Sequence, residues 1–407
     1  MESKKPIILT LVRFYLPGYK SGGPVRTIAN MVDQLGDEFD FRVITTDRDF
    51  GVNEPYQNVT ADGWNTVGKA KVYYTCRNVR SLSRLVKLVS ETTHDVLYLN
   101  SAFDPVFTLW PLLNRNLGRI NSQSVVLAPR GEFSEGALAL KRWKKMTYLM
   151  GARIQSFYRD IIWQASSQFE AEDIRRTMGS VVQKIRVTGN LAERIVVAPD
   201  LPATIAPDDA ADTERERNDS RLHLVFLSRI APMKNLDFAL RVLKQVSAPV
   251  VFNIYGPKED TVYWRQCEAL IASLPGHVQV KYLGEVEHSK VANVMALHDL
   301  LLLPSRGENY GHVIAEALSA GTPVLIANTT PWRNLKQAGV GWDLPLTSER
   351  PYAELIDHCA ALDRKTFRDW RIRVRRFAGE RLADPSLVDA SRRLFLDAAG
   401  REMDNLK

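Results

Sequence analysis

The chain has 407 residues, of which 45% are hydrophobic and 25% charged, with 23 glycines and 20 prolines. At about 150 residues per domain this describes two or three globular domains with a large core, and it excludes a small disulfide scaffold, a low-complexity chain and global disorder. The formal charge of +7 suits an acidic ligand, a nucleic acid or an anionic membrane surface without choosing among them.

The first residues, MESKKPIILTLVRFYLPG, combine a positive start with an apolar stretch too short to span a bilayer and interrupted by Arg13. They read as a strand over residues 7–12. Further branched apolar runs follow at 41–46, 72–75, 96–99, 125–127, 161–163 and 195–198, each closed by Gly, Pro, Ser or Asp. Segments of helical period separate most of them, for example Leu82, Leu85, Val86, Leu88 and Val89. This alternation predicts strand and helix units around a mainly parallel sheet. No later apolar run reaches the roughly 18 residues of a membrane helix, so an integral membrane protein is not expected.

Residues 206–220 include the polar run PDDAADTERERNDS, which has no apolar face and reads as a linker. A second series of strands is predicted at 222–227, 250–255, 278–283, 300–303 and 324–327. Asn235, Leu236, Phe238, Ala239, Val242, Leu243 and Val246 place a helix between the first two. Both halves therefore read as doubly wound α/β domains, 1–205 and 221–380, and the default ligand site is a cleft at the carboxyl ends of their strands. Cys76, Cys267 and Cys359 lie far apart without metal-ligand spacing, which fits a reducing compartment and apolar packing.

Three segments carry candidate chemistry. In PGYKSGGPVRTIANMV, Gly22 and Gly23 permit close backbone approach and Pro24 suits a first helical turn, so the amides there can hold a phosphate or sugar; a purely structural turn is the alternative, and GxGxxG is incomplete. In LSRIAPMKN, Arg229 and Lys234 stand in the turn above a strand, where a guanidinium fork and a compact ammonium can grip a diphosphate and stabilise charge on a leaving group. A solvated basic turn is the alternative, and Asn235 can cap the following helix. In DLLLLPSRGENYGHVIAEALSAGTPVL, Glu308 lies in a loop and Glu316 just over one turn into a helix beginning near Gly311. Two carboxylates can accept hydrogen bonds from sugar or ribose hydroxyls, or belong to a capped, solvated helix.

With SGG at 21–23, SRIAPMKN at 228–235 and ENYGHVIAEALSAGTPV at 308–324, the chain resembles glycosyltransferase family 4, whose members have two facing Rossmann-like domains in the GT-B arrangement. The resemblance implies an acceptor domain over 1–205, a donor domain over 221–380 and a C-terminal helix within 381–407 that returns toward the first domain. It makes Arg229 and Lys234 the diphosphate pair, Glu308 the carboxylate that positions the donor sugar, and Glu316 the ribose carboxylate. Gly22, Gly23, Asn309, Tyr310, Gly311, His312 and Val313 become further donor contacts, while Tyr255-Gly256 and Leu283-Gly284 resemble base-side loops. Asn309 and Tyr310 depart from the family's EGFG. Asn100 and Arg130 stand where many relatives carry histidines; Arg130 stays charged at neutral pH and is no ordinary proton acceptor. With Glu132, these form the candidate acceptor contacts, and Glu135 is a further carboxylate nearby.

The implied reaction moves a hexose, with retention, from GDP-mannose or a UDP-hexose to a glycan or polyprenyl-linked oligosaccharide in bacterial envelope, lipopolysaccharide or exopolysaccharide synthesis. No tightly bound cofactor and no essential metal are expected. The basic stretch 138–152 packs into the first domain with a wet basic side, or else touches an anionic inner membrane from the cytoplasmic face; 368–381 makes the same surface contribution or supports the return of a C-terminal helix toward the first domain. A nucleotide-sugar epimerase, a glycan phosphorylase and a non-catalytic nucleotide-sugar-binding protein are the alternatives. Nucleic-acid binding is not expected, for no aromatic platform accompanies the basic groups.

Overall fold

The computed structural model describes residues 4–76, 81–122, 124–139, 157–192 and 221–401. It divides into two compact units, Met1–Arg194 with Asp384–Lys407, and Ile195–Ala383. The linker expected at 206–220, the strand expected at 195–198 and most of the basic stretch 138–152 lie outside the described residues.

The first unit is built on an eight-stranded sheet: β1 (Ile7–Leu11), β2 (Asp40–Thr46), β3 (Trp64–Val67), β4 (Ala70–Thr75), β5 (Val96–Asn100), β6 (Val125–Ala128), β7 (Ile161–Ala165) and β8 (Lys184–Val187), in the order β3-β4-β2-β1-β5-β6-β7-β8. Neighbours are parallel except β3 and β4. Strands β1, β5 and β6 are buried along their whole length, which is why they read as unbroken apolar runs rather than as alternations. Successive residues of β1 supply opposite faces: Leu9 and Leu11 join one core, Ile8 the other.

Helix Gly23–Leu35 turns Val25, Ile28, Met31, Val32 and Leu35 inward. On the same face lies helix Pro385–Ala398, whose Phe395 meets the rings of Phe39, Phe41 and Tyr98 edge-on at 5.8, 5.9 and 5.3 Å between centroids. Arg392 of that helix pairs with Glu38 at 2.5 Å.

The second unit has six strands, β9 (Leu222–Leu227), β10 (Val250–Tyr255), β11 (Val278–Tyr282), β12 (Leu300–Leu303), β13 (Val324–Ala327) and β14 (Gly341–Leu344), ordered β11-β10-β9-β12-β13-β14 and all parallel. This is the doubly wound order, in which the chain reverses direction across the sheet between β9 and β12. The equivalent reversal in the first unit falls between β1 and β5.

The basic run within helix Arg364–Leu382 is divided: Arg371 and Arg375 turn into this unit, whereas Arg368, Arg373, Arg376 and Arg381 are exposed. Arg371 is 8% exposed and donates to the carbonyls of His298 and Ala296 at 2.8 and 2.7 Å, while Arg375 donates to Ala320 at 3.4 Å. Those carbonyls end helices His288–Ala296 and His312–Ser319, where positive charge is favoured. Arg381 lies over the Trp332 ring at 5.5 Å. Cys267 and Cys359 are buried, and burial pushes both thiols up to about 12; Cys76 is half-buried.

Candidate active site

At a chain reversal in a doubly wound sheet, the loops leaving the two central strands part and open a crevice at the carboxyl edge. In the second unit these loops are residues 228–235 after β9 and 304–311 after β12, the two segments with the strongest sequence signals. Asn235 clasps them together. It is 2% exposed, has φ 60°, donates Nδ2 to the Pro304 carbonyl at 2.9 Å and accepts at Oδ1 from Arg306 Nε at 3.0 Å. The Arg306 amide donates in turn to the Met233 carbonyl at 2.8 Å. Asn235 does occupy the N-cap position of helix Leu236–Leu243, but its side chain makes no capping bond because the two loops take it.

This clasp sets Lys234 against Glu308. Lys234 Nζ is 2.5 Å from Glu308 Oε1, with the side chains 15% and 9% exposed, and Ser305 Oγ donates to the same oxygen at 2.8 Å. Arg229 has its own carboxylate, Nη1 to Glu259 Oε2 at 2.7 Å. Sequence reasoning missed Glu259, since nothing in PKED marks that residue over its neighbours. The loop that carries it is stitched to the Arg229 loop: Ser228 N donates to Tyr255 O at 3.1 Å and Ile230 N to Pro257 O at 2.8 Å. Gly256 has φ 128°, and a Cβ there would stand 1.9 Å from the Ser228 carbonyl oxygen, so only glycine permits this approach. Gly256 N also donates to Gly284 O at 2.7 Å, which joins the two loops read as base-side.

Gly311 caps helix His312–Ser319 with φ 77°, and a Cβ there would meet Ile314 Cδ1 at 2.8 Å. The loop before it is fixed by Trp332 Nε1 donating to the Tyr310 carbonyl at 2.6 Å, and the Tyr310 ring packs against Trp332 and His312. Burial pushes the Tyr310 phenol up to about 12, so it remains an O–H donor at neutral pH. Asn309, His312, Val313 and Glu316 are half-buried around the helix start, where a negative ligand is favoured. Glu316 Oε1 lies 4.0 Å from His288 Nδ1, on the helix that follows β11. The carboxyl edge thus collects Arg229, Lys234, Glu308 and Glu316 on loops and a helix that leave neighbouring strands.

In the first unit, Gly22 caps helix Gly23–Leu35 with φ 77° and Pro24 lies in its first turn. Asn100 ends β5, and Arg130 follows β6 with φ 56°. Arg130 donates Nε and Nη2 to Asn100 Oδ1 at 3.1 and 2.7 Å, Nη1 to Asn190 Oδ1 at 2.8 Å and Nη2 to the Tyr98 hydroxyl at 2.5 Å. Among the described residues its partners are all uncharged. Glu132 folds back to accept Ser101 Oγ at 2.7 Å and the amides of Ala102 and Phe103 at 2.6 and 3.3 Å, shaping the turn after β5. Glu170, also missed, accepts from Gly131 N at 2.5 Å and from Ser166 N and Oγ at 2.7 and 2.6 Å, tying the Arg130 turn to the loop after β7. The capping-box pattern Ser167-Gln168-Phe169-Glu170 was its available signal. Glu135 begins helix Glu135–Ala139.

Residues 208–371 match the family described as Glycosyl transferases group 1. The chain is 28% identical over 259 residues to an uncharacterized 41.2 kDa protein in the cps region of Klebsiella pneumoniae, covering 62% of this chain and 67% of that one. It is 29% identical over 168 residues to a D-inositol 3-phosphate glycosyltransferase of Xylanimonas cellulosilytica, where the match spans 40% of this chain and 39% of the relative. Among solved structures, Anabaena HepE in complex with UDP and glucose aligns with a TM-score of 0.66 at 16% identity, over 96% of this chain and 100% of that one. WaaG, a glycosyltransferase involved in lipopolysaccharide biosynthesis, aligns at 0.65 and 13% identity, over 95% and 99%. At such identities the likeness is one of fold, and the fold class is that of GT-B enzymes, with two doubly wound α/β units in one chain.

Proposed function

We propose, from the premise that residues 208–371 are a domain of the group 1 glycosyltransferases, that the protein is a retaining glycosyltransferase using a nucleotide-diphosphate hexose, with a UDP- or GDP-linked sugar as donor. The observation that carries this reading is the meeting of Lys234 with Glu308 at the chain reversal of the second sheet, 2.5 Å apart and largely shielded from water. In the reaction the bond from the anomeric carbon to the diphosphate oxygen breaks, and a bond to the acceptor oxygen forms on the same face. The acceptor proton passes to the leaving phosphate. Lys234 and Arg229 stabilise the charge that develops on that phosphate, a task this reading assigns to them rather than to a metal ion. Glu308 accepts from sugar hydroxyls and holds the reacting face, Glu316 accepts from the ribose, and the start of helix His312–Ser319 attracts the phosphate oxygens.

Arg130 stands in this scheme as an acceptor contact and not as a base. Among the described residues its guanidinium donates only to neutral oxygens, of Asn100, Asn190 and Tyr98, and a fork held this way suits an acceptor bearing a phosphate, such as a polyprenyl-linked oligosaccharide. The Klebsiella cps-region relative and the likeness to WaaG support a place in bacterial polysaccharide synthesis. Contact with anionic lipid at the cytoplasmic membrane face belongs to the same proposal and rests on the stretch 138–152; among the described residues no helix is long and apolar enough to cross a membrane.

The test is a thermal-shift screen of UDP- and GDP-sugars, followed by transfer assays with soluble and lipid-linked glycans. Stabilisation by one donor and turnover only with acceptor present are expected. Donor isomerisation without acceptor would make the protein an epimerase, phosphate-dependent glycan cleavage a phosphorylase, and tight binding without turnover a binding protein.

A further inference from the structure

We propose that Glu259 is a built-in competitor of the donor: its carboxylate neutralises Arg229 in the ligand-free protein and is displaced when a diphosphate binds. The inference rests on the donor site proposed above and concerns a residue outside its signature segments.

Arg229 and Lys234 differ in how their charges are matched. The Lys234 pair is shielded and shares its carboxylate oxygen with Ser305, so Glu308 is held from two sides. The Arg229 pair is open to water, with side chains 37% and 29% exposed, and among the described residues Glu259 is the only carboxylate that Arg229 meets. An ion pair this exposed has little net strength and separates readily. A diphosphate brings more than one negative charge and several acceptor oxygens to a guanidinium whose fork matches them, so it outcompetes a single carboxylate.

The position of Glu259 is nonetheless defined by its loop. Glu259 N donates to Pro257 O at 3.0 Å, and Asp260 N donates to Ile230 O at 3.3 Å. Asp260 then caps helix Thr261–Ala272 through the amides of Val262 and Tyr263. The preceding Lys258 is drawn to the faces of Trp264 and Tyr282, with Nζ 4.2 and 4.3 Å from the ring centroids. These bonds fix the backbone on both sides of Glu259 and leave its carboxylate directed at Arg229. Once a diphosphate occupies the guanidinium, the same carboxylate becomes a like charge beside it and must rotate into water. Every binding event therefore includes breaking this pair.

The test measures dissociation constants of UDP and GDP, with uridine and guanosine as phosphate-free controls, on the full chain and on Glu259→Gln. The expected result is about threefold to fivefold tighter binding of the diphosphate that the wild type accepts, the range a half-exposed ion pair can supply, with no change for the nucleoside. In Arg229→Gln, adding Glu259→Gln should give a smaller gain than in the wild type, because no ion pair is left to break and only the like-charge repulsion is relieved. Glu259→Asp, which keeps the charge but withdraws it by one methylene, should fall between wild type and Glu259→Gln, and it serves as the second variant if Glu259→Gln does not fold. Unchanged or weaker diphosphate binding in a folded Glu259→Gln, or an equal gain for the nucleoside, overturns the proposal while leaving the donor site standing. Binding of neither diphosphate by the wild type removes the donor site and this inference together.

Discussion

Lys234 Nζ lies 2.5 Å from Glu308 Oε1 although 74 residues separate them in sequence. The two reach each other because β9 and β12 are neighbours in the sheet and Asn235 bridges the loops that follow them. The cation proposed to stabilise the leaving group is thus paired with the carboxylate proposed to hold the sugar, and loss of either member should disturb the other.

Replacing Lys234 with Ala should reduce kcat/KM for donor-dependent transfer by about 100-fold to 1000-fold, the range for losing a preorganised charge at a developing anion. Stability should fall by no more than about 2 kcal/mol, because Glu308 keeps the Ser305 hydroxyl. Steady-state kinetics and urea unfolding of the same preparation check both numbers. Wild-type turnover in a folded Lys234→Ala would remove Lys234 from the mechanism.

Glu316→Ala should weaken nucleotide binding by about tenfold through lost hydrogen bonds to a charged acceptor. Calorimetry with the natural nucleotide and with its 2′,3′-dideoxy analogue distinguishes the cause. The mutational loss should disappear with the analogue, which has no hydroxyl to offer; an equal loss with both ligands would point to a displaced helix instead.

Alanine at Gly256 and at Gly311 should act unequally. The Cβ at position 256 meets a backbone oxygen at 1.9 Å, whereas at 311 it meets the end of the Ile314 side chain at 2.8 Å. We expect about 3 kcal/mol or more of destabilisation for Gly256→Ala and about 1–2 kcal/mol for Gly311→Ala, read from denaturant midpoints. The reverse order would contradict the stitched loop after β10.

Acid should weaken the second unit through Asp237 and Glu349. Burial raises the Asp237 pKa, but hydrogen bonds from the Tyr263 hydroxyl and Arg241 outweigh it and leave the folded value below the ordinary 3.8. The Arg241 hydrogen bond likewise holds Glu349 below 4.5. With folded values below unfolded ones, the stabilisation is complete above roughly pH 5 and disappears as pH falls through the depressed values. Asp237→Asn should flatten the fall in urea midpoint between pH 5 and pH 3. An unaltered slope in that variant would show that Asp237 takes no part in acid unfolding.

The central strands were legible because strands buried on both faces are written as continuous branched runs, and the strands Leu222–Leu227, Val250–Tyr255, Leu300–Leu303 and Val324–Ala327 lie where those runs fall. Strands β3, β8 and β14 were not foreseen. WNTV and KIRV lie at the two ends of their sheet and stay partly exposed, and β14 opens on a glycine and contains an aspartate, so pairing with β13 and not composition makes it a strand. The order of Arg229, Lys234, Glu308 and Glu316 was readable from residue type in turns after strands. Their partners were not, for Glu259, Asn235 as a clasp and the helix-end carbonyls met by Arg371 depend on loops brought together only by the sheet.

Helix Pro385–Ala398 also makes completion of the first unit wait for the last-encoded part of its core. Residues 195–383 are contiguous, so everything the second unit requires is encoded before the helix. The face that Phe395 covers is synthesised more than 300 residues earlier, at Phe39 and Phe41. Until that helix docks, the first unit keeps an apolar flank uncovered at Phe39 and Phe41, on which chaperone capture or aggregation would act selectively.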